Sequence, residues 1–139
     1  ANQGATLRKF GKQIEALIAE EGVNEKMAEF INPLAVLADQ MTKFTTEIGF
    51  KAFANPDEVG GASVDYLRVA GHLVFAYFFA RMASVALKKI ASGDTDPFYL
   101  AKVQTARFYF ARLFPETASL MRTARSGVAN LLDTDAALA

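Results

Sequence analysis

The side chains able to do chemistry in this sequence are few, and most of them lie in its second half. His72 is the single histidine of 139 residues, and cysteine is absent. Nucleophilic catalysis needs a nucleophile, a base and a group that orients the base, so any such triad here must be built on His72. That residue sits between Gly71 and Leu73 in an apolar run, where a lone imidazole is more readily read as a core residue satisfied by a hydrogen bond. A small-ligand pocket formed by Tyr66, His72, Tyr77 and Tyr109 is the sharper reading, because buried phenols and imidazole demand polar partners.

Metal chemistry has less to work with. A carboxylate-bridged di-metal bundle needs paired Glu-x-x-His motifs, and none occurs. A zinc site with three nitrogen or sulfur ligands lacks the histidines and thiolates. The sequence therefore carries no expected catalytic, cofactor-binding or metal residue. Lys102, Arg107 and Arg112 form a second group, basic residues set among aromatics, and arginine there could grip a phosphate or carboxylate with two hydrogen bonds. The plainer reading pairs them with Glu15, Glu29, Asp39 or Glu47 of other helices.

Charge narrows the partners. Fifteen basic residues balance fifteen acidic ones, which removes the phosphate-neutralising excess of a nucleic-acid binder. Residues 1–60 hold six basic and nine acidic side chains, and residues 61–139 hold nine and six. That −3 against +3 lets acidic helices face basic ones. The aromatic run FYFARLF at 108–114 has helical spacing and no basic excess, so it reads as core and not as a base-stacking platform. The Gly60–Gly61 pair lacks the preceding strand of a phosphate-binding loop.

The elements that position these residues are helical throughout. Leu7, Phe10, Ile14, Leu17 and Ile18 recur at steps of three and four, which predicts a helix over about 6–21 stopped by Gly22. Asn24 is placed to cap a second helix, about 24–54, whose stripe is Met27, Phe30, Leu34, Leu37, Met41, Phe44 and Ile48. Pro33 either kinks it or begins it afresh after Asn32. ANPDEVGGAS, residues 54–63, reads as a loop with Ser63 capping a third helix over about 64–91. Apolar residues surround the first half of that helix, which predicts burial on several sides. Gly93, Asp96 and Pro97 supply a stop, a cap and a first residue for a fourth helix over about 97–126. Its inner stripe is Val103, Ala106, Phe110, Leu113, Thr117 and Leu120, with a bend expected at Pro115.

No segment alternates with a period of two, so the fold class expected is all-α, an up-down-up-down antiparallel four-helix bundle forming one domain over 1–139. A membrane span is not expected, because only twelve residues separate Arg68 from Arg81. They cover about 18 Å of helix against about 30 Å of hydrocarbon. The opening ANQGATLRKFGKQ lacks the apolar core of a signal peptide and an initiator Met, so a fragment of a longer, cytoplasmic protein is the expectation.

Two segments carry a resemblance. FYLAKVQTARFYFARLFPETASL (98–120) and VDYLRVAGHLVFAYFFARMASVAL (64–87) resemble the extra C-terminal helical domain of some acyl-CoA dehydrogenases, in the branch of 3-methylmercaptopropionyl-CoA dehydrogenase. AKVQTARFYFARLFPE is the most specific phrase. The resemblance implies a parent flavoenzyme of fatty acid metabolism that takes two hydrogens from Cα and Cβ of an acyl thioester, with a glutamate base and FAD. This stretch would hold neither of these. Its implied role is an accessory domain packed on the dehydrogenase core or a subunit interface of a homo-oligomer, meeting acyl-CoA only through the parent. The alternative is a free-standing helical module for protein association.

Overall fold

The computed structural model describes the backbone of residues 2–54 and 59–125 and the side chains of 8–47 and 64–125. Every regular element among the described residues is helical. α1 spans Asn2–Glu21 and ends where expected. A Cβ placed on Gly22 would lie 2.5 Å from the Ile18 carbonyl oxygen, so the close approach that closes α1 requires glycine. Asn24 does act as a cap, its side chain accepting from Lys26 N at 3.1 Å. What it caps is a single 3₁₀ turn, Glu25–Met27, which runs directly into α2, Ala28–Ala54.

Pro33 lies inside α2, and the helix is continuous through it. The missing N–H, on the sixth residue of α2, forfeits one bond to the Glu29 carbonyl, a loss that a 27-residue helix anchored by the buried Phe30, Leu34 and Leu37 absorbs. α3 runs Val59–Ala91 and starts five residues before the expected position. Gly60, Gly61 and Ser63, read from sequence as loop and cap, are helical residues of α3; Asn55–Glu58 of that loop lie outside the described residues. Two helical glycines cost about 1 kcal/mol each, an amount that a long helix anchored by packing further along absorbs.

The α3 terminus is a Schellman motif. Gly93, at φ +92°, sends its N–H to the Ile90 carbonyl, and Asp94 N–H reaches back to Lys89. Asp96 then caps α4, Pro97–Phe108, accepting from Phe98 N at 3.0 Å with Pro97 in the first turn. The expected single fourth helix is divided. A π-helical segment, Tyr109–Leu113, follows α4, and after a turn at residues 114–115 the chain resumes as α5, residues 116–125. Pro115 cannot donate to the carbonyl one turn back, and the structure absorbs that defect upstream. Phe114 N–H bonds the carbonyl five residues back, on Tyr109, at 2.9 Å. The extra residue rotates the stripe: Tyr109 is buried, whereas Leu113, expected inside, is 50% exposed.

The core has two contiguous parts. Ile14, Leu17, Met27, Phe30, Ile31 and Leu34 pack with Ala76, Ala80, Ala83 and Ala86 of α3 and with Val103, Ala106 and Tyr109. Leu37, Met41 and Phe44 pack with Val69, Leu120, Met121 and Ala124. α3 therefore presents alanines where α2 presents large side chains, and small against large brings helix axes close. The expectation that α3 is buried on several sides needs correction. Val64, Leu67, Val74, Phe75, Phe78 and Val85 are 38–68% exposed, a row along one face that α1, α2 and α4 leave uncovered.

Candidate functional site

His72 and Tyr109 meet, and two residues that sequence reasoning overlooked complete the group. The Tyr109 hydroxyl lies 2.9 Å from the His72 carbonyl oxygen, to which it donates, and 3.0 Å from Nδ1 of the His72 ring. The other ring nitrogen, Nε2, lies 2.9 Å from Oε2 of Glu116, the first residue of α5. Arg68 Nη2 donates to Glu116 Oε1 at 2.8 Å. The π segment is what delivers this arrangement, since it turns the Tyr109 ring onto Phe79, stacked at 4.6 Å, and edge-on to Phe110 at 5.2 Å.

The hydrogen-bond inventory shows how the group works. With a neutral ring protonated at Nε2, Nε2–H donates to Glu116 and Nδ1 accepts from the Tyr109 hydroxyl. With a charged ring both nitrogens donate, and the Tyr109 hydroxyl turns to the His72 carbonyl. Rotation of one O–H bond thus satisfies every group in both charge states. The hydrogen bond from His72, with support from the Arg68 charge, holds the Glu116 carboxyl below its ordinary value, against a smaller opposing effect of desolvation. Burial pushes the Tyr109 phenol up. A phenol raised in this way and already bonded to a backbone carbonyl is the reverse of an activated nucleophile, so the group is a tie between α3, the π segment and α5.

The other expected members lie elsewhere. Tyr66 shares a hydrogen bond with Thr45 at 2.8 Å and packs against Phe44. Tyr77 accepts from Arg81 at 3.2 Å and sits edge-on to Phe10. Arg107 grips both carboxylate oxygens of Glu29, at 2.7 and 3.3 Å, and that hydrogen-bonded pair holds the guanidinium charged, pushing its pKa up. Lys102 lies 4.9 Å from the Phe98 ring centre, and Arg112 stands exposed on the π segment. A shallow cleft lined by Gln40, Ala118, Met121, Arg122 and Arg125 shares none of these residues.

A second polar node also escaped the sequence reading. Glu21 is only 3% exposed, yet it accepts from Ser84 at 2.5 Å and from Asn24 at 3.4 Å and pairs with Lys88 at 3.1 Å. The Ser84 hydrogen bond is the main reason its carboxyl titrates low; desolvation opposes, and Lys88 and Asn24 assist. Its signal was present: Ile14, Leu17, Ile18 and Glu21 continue one stripe at steps of three and four. Among the described residues no cluster of three or more His, Asp or Glu could hold a metal.

One stretch, Val64–Ala91, is long and apolar enough to cross a membrane by length and composition, with a hydropathy of 1.4. Every 18-residue window in it contains Arg81, and in the fold this stretch supplies the alanines and Val69 of both core clusters.

Among the described residues, these features define an all-helical module whose buried polar side chains join its own elements and which leaves an apolar surface uncovered. The family model described as acetyl-CoA dehydrogenase C-terminal like matches residues 10–135, and the chain belongs to that family. No curated protein matches it in sequence.

Proposed function

We propose that this chain is the accessory C-terminal domain of an FAD-dependent acyl-CoA dehydrogenase, non-catalytic alone, packing on the dehydrogenase core or at a subunit interface. The family match over residues 10–135 carries this reading. The uncovered row on α3 supports it, because a domain that acts through contact needs surface to contact with. The parent enzyme would supply FAD, the base and the acyl-CoA site, in the branch of 3-methylmercaptopropionyl-CoA dehydrogenase, as a homo-oligomer in the cytoplasm. Arg112, exposed on the π segment, and the half-buried Lys102 of α4 are the side chains offered to a neighbouring domain or an anionic group; Arg107 joins them only if Glu29 releases it.

The architecture proposed is one domain, an up-down-up-down bundle whose fourth member is the α4, π and α5 arm. Supporting contacts run in that sense. Phe10 meets Tyr77 and Glu21 meets Ser84, so α1 and α3 advance together. Thr45 meets Tyr66, while Arg68 meets Glu116 and Phe79 meets Tyr109, so α2 and the fourth arm run against α3.

The test compares two chains. The 139 residues alone should purify helical and colourless. A longer chain carrying the preceding reading frame should be yellow and should pass electrons from an acyl-CoA to an acceptor. Flavin held by the 139 residues alone would overturn the division of labour. The second reading, a free-standing association module, is favoured by the same exposed row on α3 and would be selected by a reading frame that begins just before Ala1.

A further inference from the structure

The uncovered face of α3 has a spacing of its own. Val64, Leu67, Gly71, Val74, Phe75, Phe78 and Val85, with the half-buried Met82 that also packs against the core, follow one another at helical steps over about 32 Å. Read from both ends, the row is matched about a point between Val74 and Phe75: Val64 mirrors Val85, Leu67 mirrors Met82, and Gly71 mirrors Phe78. The last pair differs most in size. A Cβ built on Gly71 meets nothing within 4 Å, so the glycine is an open notch in the surface, while Phe78 projects at 58% exposure.

We infer that this face is covered by the same face of a second copy of the chain, packed antiparallel about a two-fold axis through the Val74–Phe75 level, with Phe78 of each copy seated in the Gly71 notch of the other. An isologous interface requires that kind of self-matching, since residue i must meet j while j meets i. Area agrees. The six exposed side chains, at 38–68% exposure, offer roughly 600 Å² per copy, which brings the pair to about the lower bound of a specific, stable interface. Charge agrees as well. Arg68 is paired with Glu116 and Lys88 with Glu20 and Glu21, while Arg81, bonded to the neutral Tyr77 hydroxyl, and Lys89, exposed one turn beyond Val85, keep their charge. Antiparallel packing sets the two copies of Arg81 about 20 Å apart along the axis and the two of Lys89 about 43 Å apart, so neither meets its own counterpart. The inference rests on the reading that this domain works through its surface, and it selects the subunit interface over the core of the same chain.

Light scattering on the 139-residue chain at micromolar concentration should give twice the chain mass. Phe78→Glu should weaken association at least about tenfold while leaving the helical circular dichroism intact. The chain has no cysteine, so register can be read directly. Val64→Cys mixed with Val85→Cys should give the crossed disulfide on oxidation, whereas either variant alone should not link. A monomer, a dimer indifferent to Phe78→Glu, or ready linking of Val64→Cys to itself would overturn the inference. A longer chain without flavin would instead sink the dehydrogenase assignment and leave these readouts unaffected.

Discussion

Removing one oxygen atom tests whether the His72–Tyr109–Glu116 group is a structural tie. In Tyr109→Phe the ring keeps its stack on Phe79 at 4.6 Å, so the aromatic packing stays and only the hydroxyl is lost. That hydroxyl serves both the His72 carbonyl and Nδ1 of a ring that is 14% exposed. A net hydrogen bond is worth about 1 kcal/mol, and a poorly solvated nitrogen left without its partner adds a comparable amount, giving about 1–2 kcal/mol. At an m-value of about 2 kcal/mol/M the urea midpoint should fall by about 0.5–1 M with the slope unchanged. His72→Leu alone and with Tyr109→Phe completes a double-mutant cycle, in which a coupling of at least about 0.5 kcal/mol is expected. Tyr109→Phe unfolding at the parental midpoint, or strict additivity in the cycle, would refute the tie.

The remaining expectations can be checked with the same purified chain. Glu21 and Glu116 titrate low in the fold, so their stabilisation is complete above the ordinary carboxylate value of 4.5 and drains away as pH falls through their lowered values; Glu21→Gln should flatten that acid limb in a pH series of thermal melts. Phe30→Ala, at a wholly buried site, should cost about 3–5 kcal/mol in urea titration. Gly93→Ala, forced to adopt φ +92°, should lower stability by about 1–2 kcal/mol. Arg107→Ala breaks an exposed pair and should change the unfolding midpoint by less than about 1 kcal/mol equivalent, despite its short distances.

Much of the helical plan was legible because apolar periodicity and capping chemistry agree with each other. Asn24, Gly93, Asp96 and Pro97 do what their types predict, and the α2 stripe from Met27 to Phe44 is buried throughout. The cross-helix pairs Arg107–Glu29, Lys88–Glu20 and Arg125–Glu47 match the opposed charge of the two halves. Three things were not legible. Glycines at 60 and 61 read as a break because local propensity cannot weigh the packing of a helix that continues for thirty residues. The π segment was invisible because a proline announces a defect without saying where the backbone will place it. Of the site, His72 and Tyr109 were found by type, but Glu116 is 44 residues from His72, and no local spacing connects them.

The π segment leaves the last arm of the chain with one residue more than an α-helical pitch would use. A residue inserted in or deleted from a helix turns everything beyond it by about 100°. Shortening 109–113 by one would therefore swing α5 about its own axis, carrying Glu116 away from the imidazole and Leu120 out of the interior. Chain length between Phe108 and Pro115 is consequently a more stringent constraint on this protein than the identity of most side chains within it.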